Sequence, residues 1–438
     1  MNKNIKLAVA GAVLALSATA ANAGIIIPAG EWTVDIGGNV NMYTSWAKST
    51  SGSNNTITGG LAGGGNQNTT NKFGNGLLPN FLSVSGSTRQ NDLDVSFTIS
   101  LQPGSAQVRA LNQVGSDDTN NGGLNNRQSF ITFGDKSWGS VKIGKDLGIF
   151  ASDAILNDIT LLGVGGAYAG AAGNTSLGRI GSGYIYADWK PQIAYTTPNY
   201  NGLQATVGIS QAFYASGNLS PTYVGNAWTY NNAGEANANV AYEGKASYAF
   251  NANGVDGKIW VSGIAQHVGA LNVTATGNNI YSGAYGHTTN DDPTAYAADI
   301  GMNVKVSGFD FTGYFYGGSG IGTTGQFLNG YGANLTSQAA AARDSYGGYV
   351  QAKYTLPTKT IAALSWGESR LDLADGETSL VSQSGELVKS NEQWNAMLIQ
   401  PLTKHLNLVA EYSNQQAENH RGQKNERNVG SLGAILFF

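Results

Sequence analysis

The chain has 438 residues, a formal net charge of −4, 12% charged residues, 61 glycines and no cysteine. Soluble chains carry about 25% charged residues and about 7% glycine, so this composition excludes an ordinary soluble surface, and the missing cysteines exclude disulfide scaffolds and cysteine-ligated metals. No apolar run long enough for a membrane helix follows the N-terminus, no Lys/Arg cluster points to nucleic acid, and a mean hydropathy of −0.18 describes a chain neither greasy nor highly charged.

Residues 1–23 read as a signal peptide. Lys3 and Lys6 precede the apolar stretch Leu7–Leu16, and Ala21-Asn22-Ala23 forms a small-residue cleavage site before Gly24. The alternative, a membrane anchor, needs a longer apolar run. From Gly24 the dominant period is two, the signature of strands with unlike faces. In 31–47, Trp32, Val34, Ile36, Val40, Met42 and Trp46 share one face; Thr33, Asp35, Asn39, Asn41, Tyr43 and Ser45 share the other. This run far exceeds the usual strand of about 5–6 residues.

The pattern recurs, and sixteen strands are predicted: 31–47, 81–90, 92–103, 127–135, 138–146, 184–198, 202–213, 238–251, 256–268, 296–307, 309–318, 345–356, 358–371, 389–402, 405–417 and 428–438. Two are ambiguous. The run 256–268 has apolar residues in both registers, and Pro191, which cannot donate to a ladder, interrupts 184–198. Short connections alternate with long ones, the long ones ending with 418–427. The expected fold is all-β: a transmembrane antiparallel barrel of about 16 strands with short periplasmic turns and long extracellular loops. A sheet crosses lipid only when it closes and leaves no backbone group unpaired. Trp32 and Trp46, outward and 14 residues apart, are expected in two aromatic girdles, together with the terminal Phe438.

The hairpin Arg127-Gln128-Ser129-Phe130-Ile131-Thr132-Phe133-Gly134-Asp135-Lys136-Ser137-Trp138-Gly139-Ser140-Val141-Lys142-Ile143-Gly144-Lys145 resembles the hairpin that precedes the pore loop in Gram-negative general diffusion porins of the neisserial and β-proteobacterial type. Ile193-Ala194-Tyr195-Thr196-Thr197-Pro198-Asn199-Tyr200-Asn201-Gly202-Leu203 is similar to that family's hairpin after the loop, and Phe437-Phe438 to its aromatic C-terminus. The segment Leu82–Leu101 departs from the family's usual second hairpin. The resemblance implies a homotrimer, a third loop folded into the lumen, and recognition of Phe438 by the barrel-assembly machinery.

That third loop is 147–183. It alone among the long loops has a substantial apolar run, including Ile149, Phe150, Ile155, Leu156, Ile159, Leu161 and Leu162, which is costly in water and is expected to pack on the inner wall. Ser152 and Asp153 are expected to cap a short helix through Leu162. Asp153 and Asp158 either face the lumen or merely cap and solvate the helix. Strand parity turns Lys142, Lys190, Lys245, Lys305 and Lys353 inward, with Glu243, Asp299, Asp310 and Glu411. Arg89, Arg109 and Arg127 lie at strand ends and are grouped with the basic wall. Acids on the loop against bases on the wall set a transverse field that favours small polar or ionic solutes, with a weak preference of either sign.

Nothing points to an enzyme, a cofactor or a metal. Gly320-Ile321-Gly322-Thr323-Thr324-Gly325 matches a dinucleotide pattern but opens no helix. The four histidines lack ligand spacing. Asp117-Asp118 and Asp291-Asp292 lie in outer loops, where cation bridging to lipopolysaccharide competes with simple solvation. The leading expectation is an exported outer-membrane porin, in contact with lipid and lipopolysaccharide, that passes small hydrophilic solutes and ions. A substrate-selective channel of the same fold is the second reading, left open by inward Tyr43, Tyr314, Tyr316 and Tyr349. A secreted β-rich adhesin or surface protein is the third.

Overall fold

A computed structural model describes residues 24–50, 52–63, 69–105, 124–166, 175–213, 222–224, 227–229, 240–268, 272–273, 287–288, 294–333, 340–380 and 382–438. The proposed signal peptide, Arg109, Asp117-Asp118 and Asp291-Asp292 lie outside them. The wall consists of β1 (Trp32–Ser49), β2 (Phe81–Gln90), β3 (Leu93–Pro103), β4 (Leu124–Asp135), β5 (Gly139–Leu147), β6 (Trp189–Thr196), β7 (Leu203–Gln211) and β8 (Val240–Ala252). It continues with β9 (Val255–His267), β10 (Thr294–Val306), β11 (Phe309–Ser319), β12 (Asp344–Thr355), β13 (Ile361–Leu371), β14 (Val388–Pro401), β15 (Leu406–Asn419) and β16 (Lys424–Phe437).

Each strand pairs antiparallel with its sequence neighbours, and the first closes on the last. Asn39 of β1 faces Phe437 of β16, while Thr33 of β1 faces Ser87 of β2. Sixteen strands therefore form a closed antiparallel barrel with no free edge. Two short strands, Ile25–Ala29 and Thr70–Gly74, pair alongside β1.

The two-residue period decides which way each side chain points. On β10, Tyr296, Ile300 and Met302 are exposed outward, whereas Ala295, Ala297, Asp299 and Asn303 are buried inward. The ambiguity in β9 resolves the same way: Ile259 and Val261 face out, and Trp260 and Ile264 are buried inside. At ~3.3 Å per residue, tilted strands of this length cross a ~25 Å apolar layer. Aromatic side chains mark its borders. Trp46, Trp394 and Tyr412 lie on the outer face toward the loop end, and Phe309, Phe311 and Tyr354 toward the turn end. Trp32, at the turn end of β1, packs in a tilted arrangement with its ring centroid 5.7 Å from that of Phe97. Phe438 exchanges backbone hydrogen bonds with Gly38, at 2.8 and 3.0 Å, and so ties the C-terminus to β1.

Most predicted strand boundaries move by one to three residues, and the strand expected from 358 starts at Ile361; three further differences bear on the site. The strand expected at 184–198 spans only Trp189–Thr196, because Tyr184, Ile185 and Ala187 are fully buried inside the barrel. Pro191 consequently sits near the start of β6. The strand expected from 127 starts at Leu124. The long connection expected at 418–427 is a tight turn between Asn419 and Lys424, closed by the Gly422 N–H to Asn419 oxygen bond and by Gly422 at φ +77°. The alternation of short and long connections fails there, since β15 and β16 keep their ladder up to Glu418 facing Lys424.

Candidate pore constriction

Between β5 and β6, the described residues 148–166 and 175–188 run inside the barrel. They begin with Gly148, whose N–H bonds the Asp188 carbonyl oxygen at 2.8 Å, so the segment leaves and rejoins the wall at one place. The left-handed Ala151 (φ 61°) redirects the chain into helix α1 (Ser152–Asn157). Ser152 is the first helical residue rather than its cap, and its hydroxyl donates to the Ile149 carbonyl. The helix is also shorter than expected: a 3-10 turn, Ile159–Leu162, follows it, capped by the Asp158 side chain. The apolar run drives the insertion. Phe150, Ala154, Ile159, Leu161 and Val164 are buried and join one apolar cluster with inward wall residues such as Trp260, Ile264, Met397 and Val409.

A loop carrying unpaired N–H groups cannot lie against an apolar wall without partners. The wall supplies them from four strands. Glu243 of β8 accepts from Phe150 N at 2.8 Å. Asp299 of β10 accepts from Ala151 N at 3.2 Å. Gln351 of β12 accepts from Ile159 N at 2.7 Å. Glu411 of β15 accepts from Val164 N at 2.7 Å and Gly165 N at 3.1 Å. These acids therefore anchor the loop; parity placed them inward correctly, but they do not line open water. Gly165 (φ +73°) lies where a Cβ would stand 2.1 Å from the Gly178 oxygen, so glycine is required at this close approach.

The two loop acids differ. Asp153 is almost buried and pairs with Lys245 at 2.8 Å and also with Lys258. Burial alone would raise its carboxyl pKa, but the two ammonium groups outweigh burial and hold it below the usual range. Asp158 points into the loop and not into the lumen. Its carboxylate accepts from Thr160 N at 3.0 Å and from the Tyr184 hydroxyl at 2.9 Å, and it faces Arg179 Nε at 3.6 Å. Of the two settings the sequence left open, Asp158 takes the capping one and closes an internal network, while Asp153 is buried against the wall lysines; neither acid faces open water.

The basic residues also separate. Lys142 faces inward and pairs with Asp146. Lys190 faces inward but is fully buried in a 2.7 Å pair with Glu243, so no solute reaches it. Its expected place on the open wall is corrected accordingly. Lys245 is partly exposed beside α1. Arg89 lies at the turn end, bound to Asp94 at 2.8 Å and Asp135 at 2.9 Å, away from the loop. The Arg127 guanidinium lies 5.9 Å from the Trp189 ring at the loop end of β4. Tyr43, Tyr314 and Tyr349 form no open aromatic track. Their hydroxyls bond the Leu162 carbonyl, the Asp299 carboxylate and the Ala154 carbonyl at 2.7, 3.1 and 2.8 Å, and Tyr316 is fully buried.

Three contributors were missed. Arg179, fully buried, donates to the Gln393 carbonyl at 3.2 Å and to Asn395 Oδ1 at 2.8 Å. It is the sole cation between 147 and 183, which was the available signal. Lys258 went unassigned because β9 was ambiguous. Residues 75–80 also turn inward, where Leu77 N bonds the Gly163 oxygen at 2.8 Å and Asn41 holds the Leu78 carbonyl at 2.9 Å.

Comparison with known proteins decides the family. A sequence model of the Gram-negative porins matches residues 8–420. The chain belongs to the Gram-negative porin family. It is an outer-membrane β-barrel channel without enzymatic activity, which sets aside the adhesin reading. No curated protein sequence matches the porin. Among solved structures, the outer membrane channel DcaP of Acinetobacter baumannii is similar with a TM-score of 0.61 at 16% identity, covering 95% of this chain and 100% of that one. The anion-selective porin from Comamonas acidovorans gives 0.55 at 12% identity, covering 93% and 100%. OmpF of Salmonella typhi gives 0.51 at 10% identity, covering 94% and 100%. At such identities these likenesses concern the fold.

Proposed function

We propose that residues 24–438 form a general diffusion pore, exported by the peptide 1–23, whose width is set by the segment 147–183. The observation that carries this reading is the row of loop N–H groups from Phe150 to Gly165 held by Glu243, Asp299, Gln351 and Glu411. Four wall strands fix one backbone across the lumen, and a fixed backbone defines a size limit. Small hydrophilic solutes and ions pass beside it; larger ones do not.

The sealed positions of Tyr43, Tyr314, Tyr316 and Tyr349 favour general diffusion over a dedicated binding track. The hairpin 127–145 and the Pro198 hairpin support placement in the neisserial and β-proteobacterial branch. In the same reading the porin is a homotrimer, and Phe438 is read by the barrel-assembly machinery. Lipopolysaccharide contacts the barrel above its loop-end girdle, where Trp366 and Trp394 both donate to Glu392, at 2.7 and 3.1 Å. Planar-bilayer recording with polyethylene glycols of graded size tests the core of the proposal. We expect steady conductance and a sharp size cut-off that rises when the 147–183 segment is freed from the wall. Absence of conductance, or an unchanged cut-off in a variant with Glu411 replaced, overturns it.

A further inference from the structure

Two outer connections turn into the mouth of the barrel and rest on the returning limb of the pore loop. Residues 52–63, which follow β1, lie along the inner wall of β14. The Thr58 N–H donates to the Glu386 carbonyl at 2.8 Å, and the Val388 N–H donates to the Thr58 carbonyl at 2.9 Å. Asn391, inward and fully buried, accepts from Leu61 N at 2.8 Å and donates to the Gly59 carbonyl at 3.1 Å. Residues 320–331, which follow β11, descend onto the limb from another side. Ile321 and Phe327 are buried in the same apolar cluster as Tyr316 and Tyr349. Gln326 Nε2 donates to the Tyr186 and Ala187 carbonyls at 3.2 and 3.1 Å, and the Tyr186 N–H donates to the Thr324 carbonyl at 2.9 Å. Backbone groups of the limb, which would otherwise face the outer vestibule, are thus satisfied by an outer connection.

The two segments meet above the limb. A Cβ on Gly181 (φ +82°) would stand 2.5 Å from Thr324 Oγ1 and 2.9 Å from Leu61 Cδ1, so one point of the limb lies against both. A Cβ on Gly59 would stand 2.8 Å from Asn329 Nδ2, where the segments touch each other. A third connection fastens them. Arg343, just before β12, is fully buried; its Nε donates to Glu377 at 2.8 Å and its Nη1 to the Asn329 carbonyl at 2.9 Å. Glu377 in turn accepts from Ala374 N at 2.9 Å. A guanidinium and a carboxylate sealed from water hold only as a pair, so 320–331 and 372–380 are fixed to one another.

We propose that segments 52–63 and 320–331, latched by Arg343 and Glu377, form a second ledge in series with the constriction and narrow the pore from the loop side. Arg343 is a positioning residue here: it sets the ledge without meeting a solute. The proposal rests on the diffusion-pore reading and goes beyond it. The pore loop limits what crosses the barrel, and the ledge limits what reaches the pore loop from the loop end. A lumen roofed at one end has unequal mouths, so a neutral polymer enters from the turn side at sizes that the loop side refuses.

The test is one-sided polymer exclusion. The full porin conducts across a bilayer in symmetric salt, and polyethylene glycols of graded size are added to one compartment at a time. We expect two size thresholds, the smaller belonging to the loop side. In Arg343→Gln and in Gln326→Ala the smaller threshold should rise by at least one polymer size toward the larger, and the larger should stay. Gln326→Ala removes only the bonds to two carbonyls, so it carries the test if Arg343→Gln fails to form a conducting barrel. Equal thresholds in the wild type, a smaller threshold unmoved in Gln326→Ala, or both thresholds rising together overturn the ledge and leave the pore standing. No conductance in the wild type overturns the pore reading and the ledge with it.

Discussion

Asp153 and Asp158 are five residues apart on one loop and occupy opposite settings. The α1 region buries its acid against the wall, where the partly exposed Lys245 and Lys258 reach it. The returning limb seals its acid among Thr160, Tyr184 and Arg179. Both carboxylates are charged groups taken from bulk water, and both need partners. The difference lies in where the countercharge comes from. Asp153 borrows it across the lumen from another element, so it couples the loop to the wall by a pair that solvent and pH can reach. Asp158 finds it within its own loop, and Arg179 then passes the connection to Gln393 and Asn395 on β14. The first region tunes the field; the second holds the shape.

Substitutions in the sealed region should therefore cost most. Arg179→Ala leaves the Asp158 carboxylate buried without its cation, an effect of ~3–5 kcal/mol for a broken buried pair. We expect unfolding at lower temperature, followed by electrophoretic mobility of unboiled samples, and noisy current from a loosened loop. A variant as heat-resistant and quiet as the wild type would show that the limb is held by apolar packing alone. Glu411→Ala removes the acceptor shared by Val164 and Gly165. Hydrogen bonds to a charged group contribute ~1.5–3 kcal/mol, so the loop should detach locally and admit larger polyethylene glycols. An unaltered cut-off would place the size limit elsewhere.

The barrel was legible because its physics is repetitive. Every strand repeats the demand of a lipid face and a water face, and sixteen repetitions leave little ambiguity in a chain whose outward residues are Val40, Met42, Ile300 or Met302. Even Lys190 and Glu243 were placed on the correct face. Their mutual contact was not legible, because parity gives a direction and says nothing of what fills the space beyond. Once the loop occupies that space, inward no longer means wet. Lys190 is dry and Lys258 is wet, although both obey the same rule. The two acids of the loop carried no period at all, and only the fold separates them. Residues 75–80 leave the wall and exchange backbone hydrogen bonds with Gly163 and Ser176 of the inserted loop, and no local pattern marks that exchange.

The α1 region yields a pH prediction. Asp153 has its pKa depressed by Lys245 and Lys258. Its contribution is complete above the ordinary carboxylate value of ~3.9 and is lost as pH falls through the lower folded value. Conductance and selectivity should stay constant on this account from neutral pH down to about pH 4, then change as the helix end is released. Asp153→Asn should lack that acid transition. A wild-type transition near pH 6 would assign the switch to another group.

The smallest effect is the most diagnostic of how the sealed region is built. Tyr43 reaches from β1 to the Leu162 carbonyl, on the side of the barrel opposite in sequence to the anchors of β8–β15. Tyr43→Phe deletes one hydroxyl and keeps the ring, at a cost of ~1 kcal/mol for a neutral hydrogen bond. If Arg179 and Glu411 hold the limb, this loss should leave the size cut-off unchanged and shift the unfolding temperature only slightly. If the phenylalanine variant instead admits larger solutes, the limb hangs from β1 as much as from β14 and β15. The constriction would then depend on the seam where the first strand meets the last, which couples pore width to barrel closure.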